Sequence, residues 1–232
     1  MRRTLAALLL TAAGVAGAAD TAVIIDSSRQ FMPNTMPRKA AWLGLFCQKM
    51  DCELRPAEVD ISIDTAKDIL DQDEELDRVA VQGKPLAVFA NLPLKAGKVV
   101  TWHVMNDAQY FGSPQFEKLR KLGKWNMPWG SQPLTLSWVK TPEERKRYHL
   151  SDGTSKQFLF AVNASGEYGG DTTPVVYWAG DMDGDGKLDL LMGIPDESCA
   201  YDERLYLSSG APEGILLRKA AHTSGSQAAC GC

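Results

Sequence analysis

Short stretches of apolar and β-favouring residues recur along the chain, and turn-forming residues separate them, as at positions 82–85, 95–98 and 151–154. Runs of this length between turns predict strands, and the Asp-Gly pair of the last turn is typical of a β-hairpin. The stretches are TAVIID, AWLGLFC, EVDISI, RVAVQG, LAVFANL, KVVTWHV, LTLSWV, QFLFAVN, PVVYWAG, LDLLMG, RLYLSS and GILLRKA. The pattern predicts a mainly β protein, either a β-sandwich or a partly open barrel.

Helical patterns are few and short. The segments DTAKDILDQDEELDRV and PQFEKLRKLGKW have apolar residues at helical spacing, and a proline opens the second. They predict one or two short helices that connect strands or cover a sheet edge. No linker rich in proline, glycine or serine divides the chain, so we expect a single β-rich domain over residues 20–222, followed by a tail over residues 223–232.

The N-terminus has the pattern of a secretory signal peptide. Two arginines precede an apolar stretch over residues 5–15, and a run of small residues ends at Ala19. This order predicts a signal peptide over residues 1–19, and hence a periplasmic or secreted protein. The apolar stretch is too short to cross a bilayer, and no later apolar run is long enough, so we expect no membrane span.

The charge of the chain disfavours nucleic acid as a partner. Of the 25 basic residues, Arg2 and Arg3 belong to the expected signal peptide, so 23 remain against 29 acidic residues, and the formal charge falls from −4 to −6. The remaining basic residues are scattered. A mildly acidic protein without a basic stripe lacks the electrostatic surface that binds phosphate backbones.

All five cysteines follow the expected signal peptide, where an oxidising compartment favours disulfides. In CQKMDC, a four-residue turn separates Cys47 from Cys52, and two paired strands there would bring the two residues within disulfide distance. We therefore expect a Cys47–Cys52 bridge. Cys199 has two candidate partners near the C-terminus, Cys230 and Cys232, and the sequence leaves open which of them it bonds.

Four aspartates alternate with other residues in GDMDGDGKLDLLMG, residues 180–193. Carboxylates this close repel one another unless a cation neutralises them. Calcium takes roughly six to eight oxygen ligands, and the glycines at positions 184 and 186 allow a chain to curl around one ion. The candidate ligands, all within residues 181–189, are Asp181, Asp183, Asp185, the main-chain carbonyl of Lys187, and Asp189.

The exit from this loop distinguishes it from an EF-hand. An EF-hand needs a glutamate at the twelfth position, which here holds Met192, and the following LDLLMG predicts a strand where an EF-hand has a helix. The arrangement resembles the D-x-D-G-D-G-x-x-D-L loops of FG-GAP and VCBS-type repeats, over about residues 175–207. The resemblance implies Ca²⁺ bound by the four aspartates.

Propellers built from such repeats need several copies, and this chain carries one. We therefore expect a calcium-loop hairpin within another β fold, and not a complete propeller. An ion bound permanently outside the cytosol would stabilise the fold, so its role is expected to be structural.

The sequence contains no metal-protease motif and no nucleophile elbow, so it identifies no catalytic residue. Trp125 and Trp129, in KWNMPWGSQP, are predicted to lie in a loop, where they could contact a ligand such as a sugar ring or could pin the loop to the domain.

These features favour a non-enzymatic, exported calcium-binding protein that acts as a binding module for an unknown protein or carbohydrate. The alternative is a secreted hydrolase or carbohydrate-active module whose acidic residues meet only in the folded chain. A component of an envelope assembly is a third possibility.

Overall fold

The computed structural model describes residues 21–67, 72–105, 114–131, 133–166, 171–195 and 200–226. In chain order its elements are β1 (Ala22–Ile24), β2 (Gln30–Phe31), β3 (Trp42–Gln48), β4 (Asp51–Pro56), β5 (Val59–Lys67), β6 (Asp73–Val81), β7 (Ala87–Ala90), β8 (Gly97–Val104), α1 (Pro114–Leu122), β9 (Lys124–Met127), β10 (Leu134–Lys140), β11 (Arg145–Ser151), β12 (Lys156–Asn163), β13 (Val175–Asp181), β14 (Asp189–Gly193), β15 (Ala200–Leu207) and β16 (Arg218–Ser226). The expected signal peptide and Cys199, Cys230 and Cys232 lie outside the described residues.

The largest unit is a nine-stranded antiparallel sheet in the order β1-β7-β3-β4-β8-β13-β14-β15-β16. The sheet curls until its two edge strands, β1 and β16, lie next to each other. The N–H of Val23 donates to Oγ1 of Thr223 at 3.1 Å, and the N–H of Ile25 donates to the Glu203 carboxylate at 2.6 Å. In a closed barrel, main-chain hydrogen bonds would join the two edge strands. Here side chains accept the hydrogen bonds from main-chain N–H groups in β1 and just after it.

A second sheet, in the order β12-β11-β10-β9, packs with α1 against one face of the large sheet. Strand β14 lies between two cores as a result. Leu190 and Met192 face the four-stranded sheet, whereas Leu191 faces the interior of the curled sheet. Because both faces are covered, β14 carries a continuous apolar run in place of the alternation of a half-exposed strand.

A third sheet, in the order β2-β6-β5, extends from the curled sheet. Asp77, on the central strand β6 of this sheet, is fully buried and connects the sheet to residues 35–38. The N–H groups of Thr35 and Met36 donate to this carboxylate at 3.1 and 3.2 Å, and Arg38 forms an ion pair with it. These partners compensate the cost of burying the charge.

The expected fold class is confirmed: the protein is mainly β, with a nearly closed barrel-like sheet and no complete propeller. Helix α1 confirms one predicted helix. The other prediction was wrong, because residues 64–67 and 73–79 belong to the paired strands β5 and β6, and cross-strand pairing outweighs a weak local helical pattern. Strand β16 extends to Ser226, four residues into the expected tail.

The expected bridge between Cys47 and Cys52 is confirmed. The two residues are directly opposite each other on β3 and β4, and their Cα atoms are 4.1 Å apart. The bridge closes a short loop, for which the chain-entropy model gives a stabilisation of about 2 kcal/mol. Among the described residues, no helix is long and apolar enough to cross a membrane.

A variant of Glu203 tests whether its hydrogen bond to Ile25 helps to hold the two edges of the curled sheet together. Replacing it by alanine should lower the free energy of unfolding by about 2 to 3 kcal/mol, because the N–H of Ile25 loses its acceptor in a buried site. The measurement is urea denaturation followed by circular dichroism. Glu53→Ala, which removes a carboxylate on β4 whose side chain is 42% exposed, is the control and should change stability by less than about 0.5 kcal/mol. Equal effects of the two changes would contradict a closing role for Glu203.

Candidate metal centre

The acidic loop connects β13 to β14 and is anchored by an aspartate at each end. Asp181 is the last residue of β13 and Asp189 the first of β14, and Asp189 pairs with Gly180 in the ladder. Both are buried, at 7% and 0% exposure, whereas Asp185 is exposed. The strand ends therefore hold two carboxylates inside the protein, and the loop between them faces outward.

Local hydrogen bonds determine the curl of the loop. The N–H groups of Gly184, Asp185 and Gly186 donate to the Asp181 carboxylate at 2.7, 3.1 and 2.8 Å. Gly184 and Gly186 have φ values of 83° and 82°, in the left-handed region that favours glycine. The two glycines thus allow the curl that the sequence predicts, and successive N–H groups converge on one carboxylate.

Three of the predicted ligands come together. Asp181, Asp183 and Asp189 each offer one carboxylate oxygen, and these oxygens lie within 4.8 Å of one another. Oxygens on opposite sides of a metal ion are separated by about twice a metal–oxygen distance of roughly 2.3 to 2.6 Å. The spacing fits that limit, so these three aspartates could hold a metal ion.

Asp185 and Lys187 lie outside this group of three. The hydroxyl oxygen of Ser208 lies 3.0 Å from both oxygens of Asp185, and the N–H of Lys187 donates to Asp185 at 2.9 Å. Hydrogen bonding therefore directs the Asp185 carboxylate toward Ser208. The side chain of Lys187 is exposed, and the predicted role of its main-chain carbonyl stays a prediction.

Two serines that the sequence analysis missed complete the site. The N–H of Ser208 donates to Asp189 at 2.8 Å, and the hydroxyl of Ser209 donates to Asp183. The hydroxyl oxygen of Ser208 also lies 2.9 Å from Asp189, so its single proton can go either to Asp189 or to Asp185. Both serines directly follow β15. The pairing of β14 with β15 brings them beside the loop, although 19 and 26 residues separate them from these partners. The pair Ser-Ser after an apolar strand was the only local signal, and it is too common to indicate a site.

Burial changes the acidity of Asp189. Removal from water raises the pKa of its carboxyl to about 7, and the nearby charge of Asp183 acts in the same direction. Hydrogen bonds from Ser208 and Met182 oppose this rise but do not cancel it. The group therefore needs either a proton or a neighbouring cation at neutral pH.

Trp125 and Trp129 lie in different environments: the first is buried and the second is half-buried. Trp125 belongs to β9 and is 5% exposed within the core between the sheets, so its predicted placement in a loop was wrong. The alternation of β9 turns this side chain inward. Trp129 follows the strand, is half-buried, and donates its indole N–H to the main-chain carbonyl of Gly186 at 3.1 Å. It thus holds the acidic loop against the four-stranded sheet.

His103 and His222 both have structural partners. The ring of His103 lies 3.0 Å from the carbonyl of Val176 and packs against Trp125, and burial lowers its pKa. His222 lies 3.0 Å from the Asp202 carboxylate on the neighbouring strand. These contacts stabilise the sheets and do not by themselves indicate a reaction.

Comparisons with protein-family models, curated proteins and solved structures gave no significant match to this chain. The chemistry of the metal centre is therefore inferred from its own geometry.

The pKa of Asp189 predicts how stability depends on pH. Folding raises this pKa from 3.8 to about 7, so the folded state favours the protonated carboxyl. In the metal-free protein, the contribution of Asp189 to the free energy of unfolding should therefore be largest below about pH 4 and should be lost as the pH rises to about 7. A metal ion needs the ionised carboxylate, so the stabilisation by added metal should grow over the same range.

The measurement is the melting temperature from pH 4 to 8, with metal and with chelator. Burial raises the pKa of Glu203 to about 7 as well, so the Glu203→Gln variant should be measured in parallel to isolate the contribution of Asp189. A metal effect that is constant across this range would contradict the assignment of Asp189 as a ligand.

Proposed function

We propose that this protein is an exported calcium-binding protein whose ion has a structural role, and whose β-rich domain binds a protein or carbohydrate ligand. The observation that carries the metal assignment is the convergence of Asp181, Asp183 and Asp189 within 4.8 Å. The spacing of the aspartates supports a loop of the FG-GAP and VCBS type. The signal-peptide pattern of residues 1–19 and the Cys47–Cys52 bridge support export to the periplasm or the outside of the cell.

The donor set favours calcium among common metals. Every side chain of the cluster offers oxygen, whereas zinc and copper sites are typically built with nitrogen or sulfur ligands. Magnesium demands a near-ideal octahedron and retains several waters, so it is less suited to a loop with many protein oxygens. Asp181, Asp183 and Asp189 would hold the ion, and Asp185 and the carbonyl of Lys187 would supply further oxygens from the same loop.

A bound ion would connect three consecutive strands. Asp181 ends β13 and Asp189 begins β14, while Ser208 and Ser209, at the end of β15, are hydrogen-bonded to Asp189 and Asp183. Neutralising the carboxylates would remove their mutual repulsion at the point where these strands meet. Because β14 lies between the two main cores, calcium bound at the start of this strand would stabilise the packing of both.

Thermal unfolding tests this proposal. With free Ca²⁺ at a hundred times its Kd, the ion should stabilise the protein by about 2.7 kcal/mol relative to chelator. For a domain of this size that gain corresponds to a rise in melting temperature of roughly 5 to 10 °C. The variant Asp183→Asn should lose most of the rise, because it removes a charged oxygen from the cluster of three.

Asp73→Asn is the matched control, since it makes the same chemical change at an exposed carboxylate on β6. It should keep the full response to calcium. Isothermal titration calorimetry should give one ion per chain for the parent and for Asp73→Asn. An unchanged melting temperature with calcium, or an equal loss in the two variants, would refute the proposed site.

A further inference from the structure

A cavity of about 340 Å³ opens beside the acidic loop. It is lined by residues 186–188 of the loop, by residues 211–217 and by residues 129–131. Small-molecule sites in proteins have volumes of roughly 300 to 1,000 Å³, so this cavity has the size for a ligand of one or two rings.

The cavity is apolar at its base. Leu134, Leu188 and Leu217 line it and are at most 8% exposed. Trp129 adds a half-buried aromatic side chain at one side, and Ile215 adds an exposed aliphatic one. A ligand would therefore meet an apolar surface that includes one large aromatic ring.

The rim of the cavity is polar and carries net negative charge. Asp152 and Glu213 supply two carboxylates, and Lys187 supplies one cation. The acidic loop adds further negative charge beside it. A phosphate or another polyanion would be repelled here, and a wholly apolar ligand would remove the charged groups of Glu213 and Lys187 from water without giving them a partner.

Hydrogen bonds hold two of the walls in place before any ligand binds. Trp129 donates to Gly186 at 3.1 Å, which fixes the indole against the acidic loop. In the segment 211–217, the N–H groups of Leu216 and Leu217 donate to the side-chain oxygen of Gln157, both at 2.9 Å, and Gln157 donates back to the carbonyl of Leu217 at 2.6 Å. Walls held in this way lower the entropy cost of binding.

We propose that this cavity binds one or two residues of a neutral saccharide. A sugar ring has an apolar C–H face that packs on an aromatic ring, and its hydroxyl groups donate to carboxylates such as those of Asp152 and Glu213. The proposal rests on the proposed function in one respect, because the calcium loop forms the wall that carries Gly186. It deepens that function by naming the ligand class and the site.

Saturation-transfer NMR of the full chain tests the proposal, with maltose, lactose, cellobiose and N,N′-diacetylchitobiose as probes. In the presence of calcium, at least one of these disaccharides should receive saturation from the protein. Trp129→Ala and Glu213→Ala should each weaken its binding roughly tenfold, because each removes a contact of the strength of a charged hydrogen bond or an aromatic stack. Glu213 is exposed, so its replacement should leave folding intact even if the tryptophan variant is destabilised.

Two further variants make the result specific. Trp129→Phe keeps an aromatic ring but removes the donor to Gly186, so it should bind the sugar more tightly than Trp129→Ala. Phe158→Ala removes an aromatic side chain that is 46% exposed on β12 and does not line the cavity, so it should leave sugar binding unchanged. Equal losses in Phe158→Ala and Trp129→Ala would overturn the proposal.

The same titrations with chelator separate this inference from the metal proposal. If calcium raises the melting temperature but none of the four disaccharides receives saturation, the saccharide site is refuted and the metal site stands. If a disaccharide binds through Trp129 and Glu213 while calcium has no effect on melting or affinity, the saccharide site stands and the metal proposal fails.

Discussion

The burial of Asp189 is the constraint on which the organisation of the site depends. This carboxylate is fully buried at the start of β14, where it accepts hydrogen bonds from Met182 in the acidic loop and from Ser208 after β15. A carboxylate removed from water needs such donors and, when ionised, a nearby positive charge. Asp189, Met182 and Ser208 converge because β13, β14 and β15 are consecutive in one sheet, so the fold and the candidate metal centre share the same interactions.

Strand β14 connects Asp189 to both hydrophobic cores. Leu190 and Met192 pack toward the four-stranded sheet, and Leu191 packs into the curled sheet, so a shift at Asp189 would disturb two cores. Because interiors are packed as densely as organic crystals, such a shift cannot be absorbed locally. A proposed ion at this point would therefore stabilise more than its own loop, and would also fix the wall of the neighbouring cavity through Gly186.

Parts of this structure were predictable because their causes are local. Apolar runs between turns predicted the mainly β fold, and the spacing from Asp181 to Asp189 predicted the curled loop, since glycines at alternate positions allow N–H groups to converge on one carboxylate. The Cys47–Cys52 bridge followed from a four-residue turn. The helix expected within residues 64–79 was wrong for residues 64–67 and 73–79, because the pairing of β5 with β6, a tertiary contact, decides their conformation.

By itself the sequence determined the β class, the hairpin disulfide and the acidic loop, because each depends on residues only a few positions apart. The tertiary structure decided which groups meet that loop: Ser208 and Ser209 from the end of β15, and Trp129 from the sheet that packs across it. It also decided that Trp125 is buried while Trp129 lines a cavity. Strand register and sheet packing join residues far apart in the chain, and no local pattern specifies those distances.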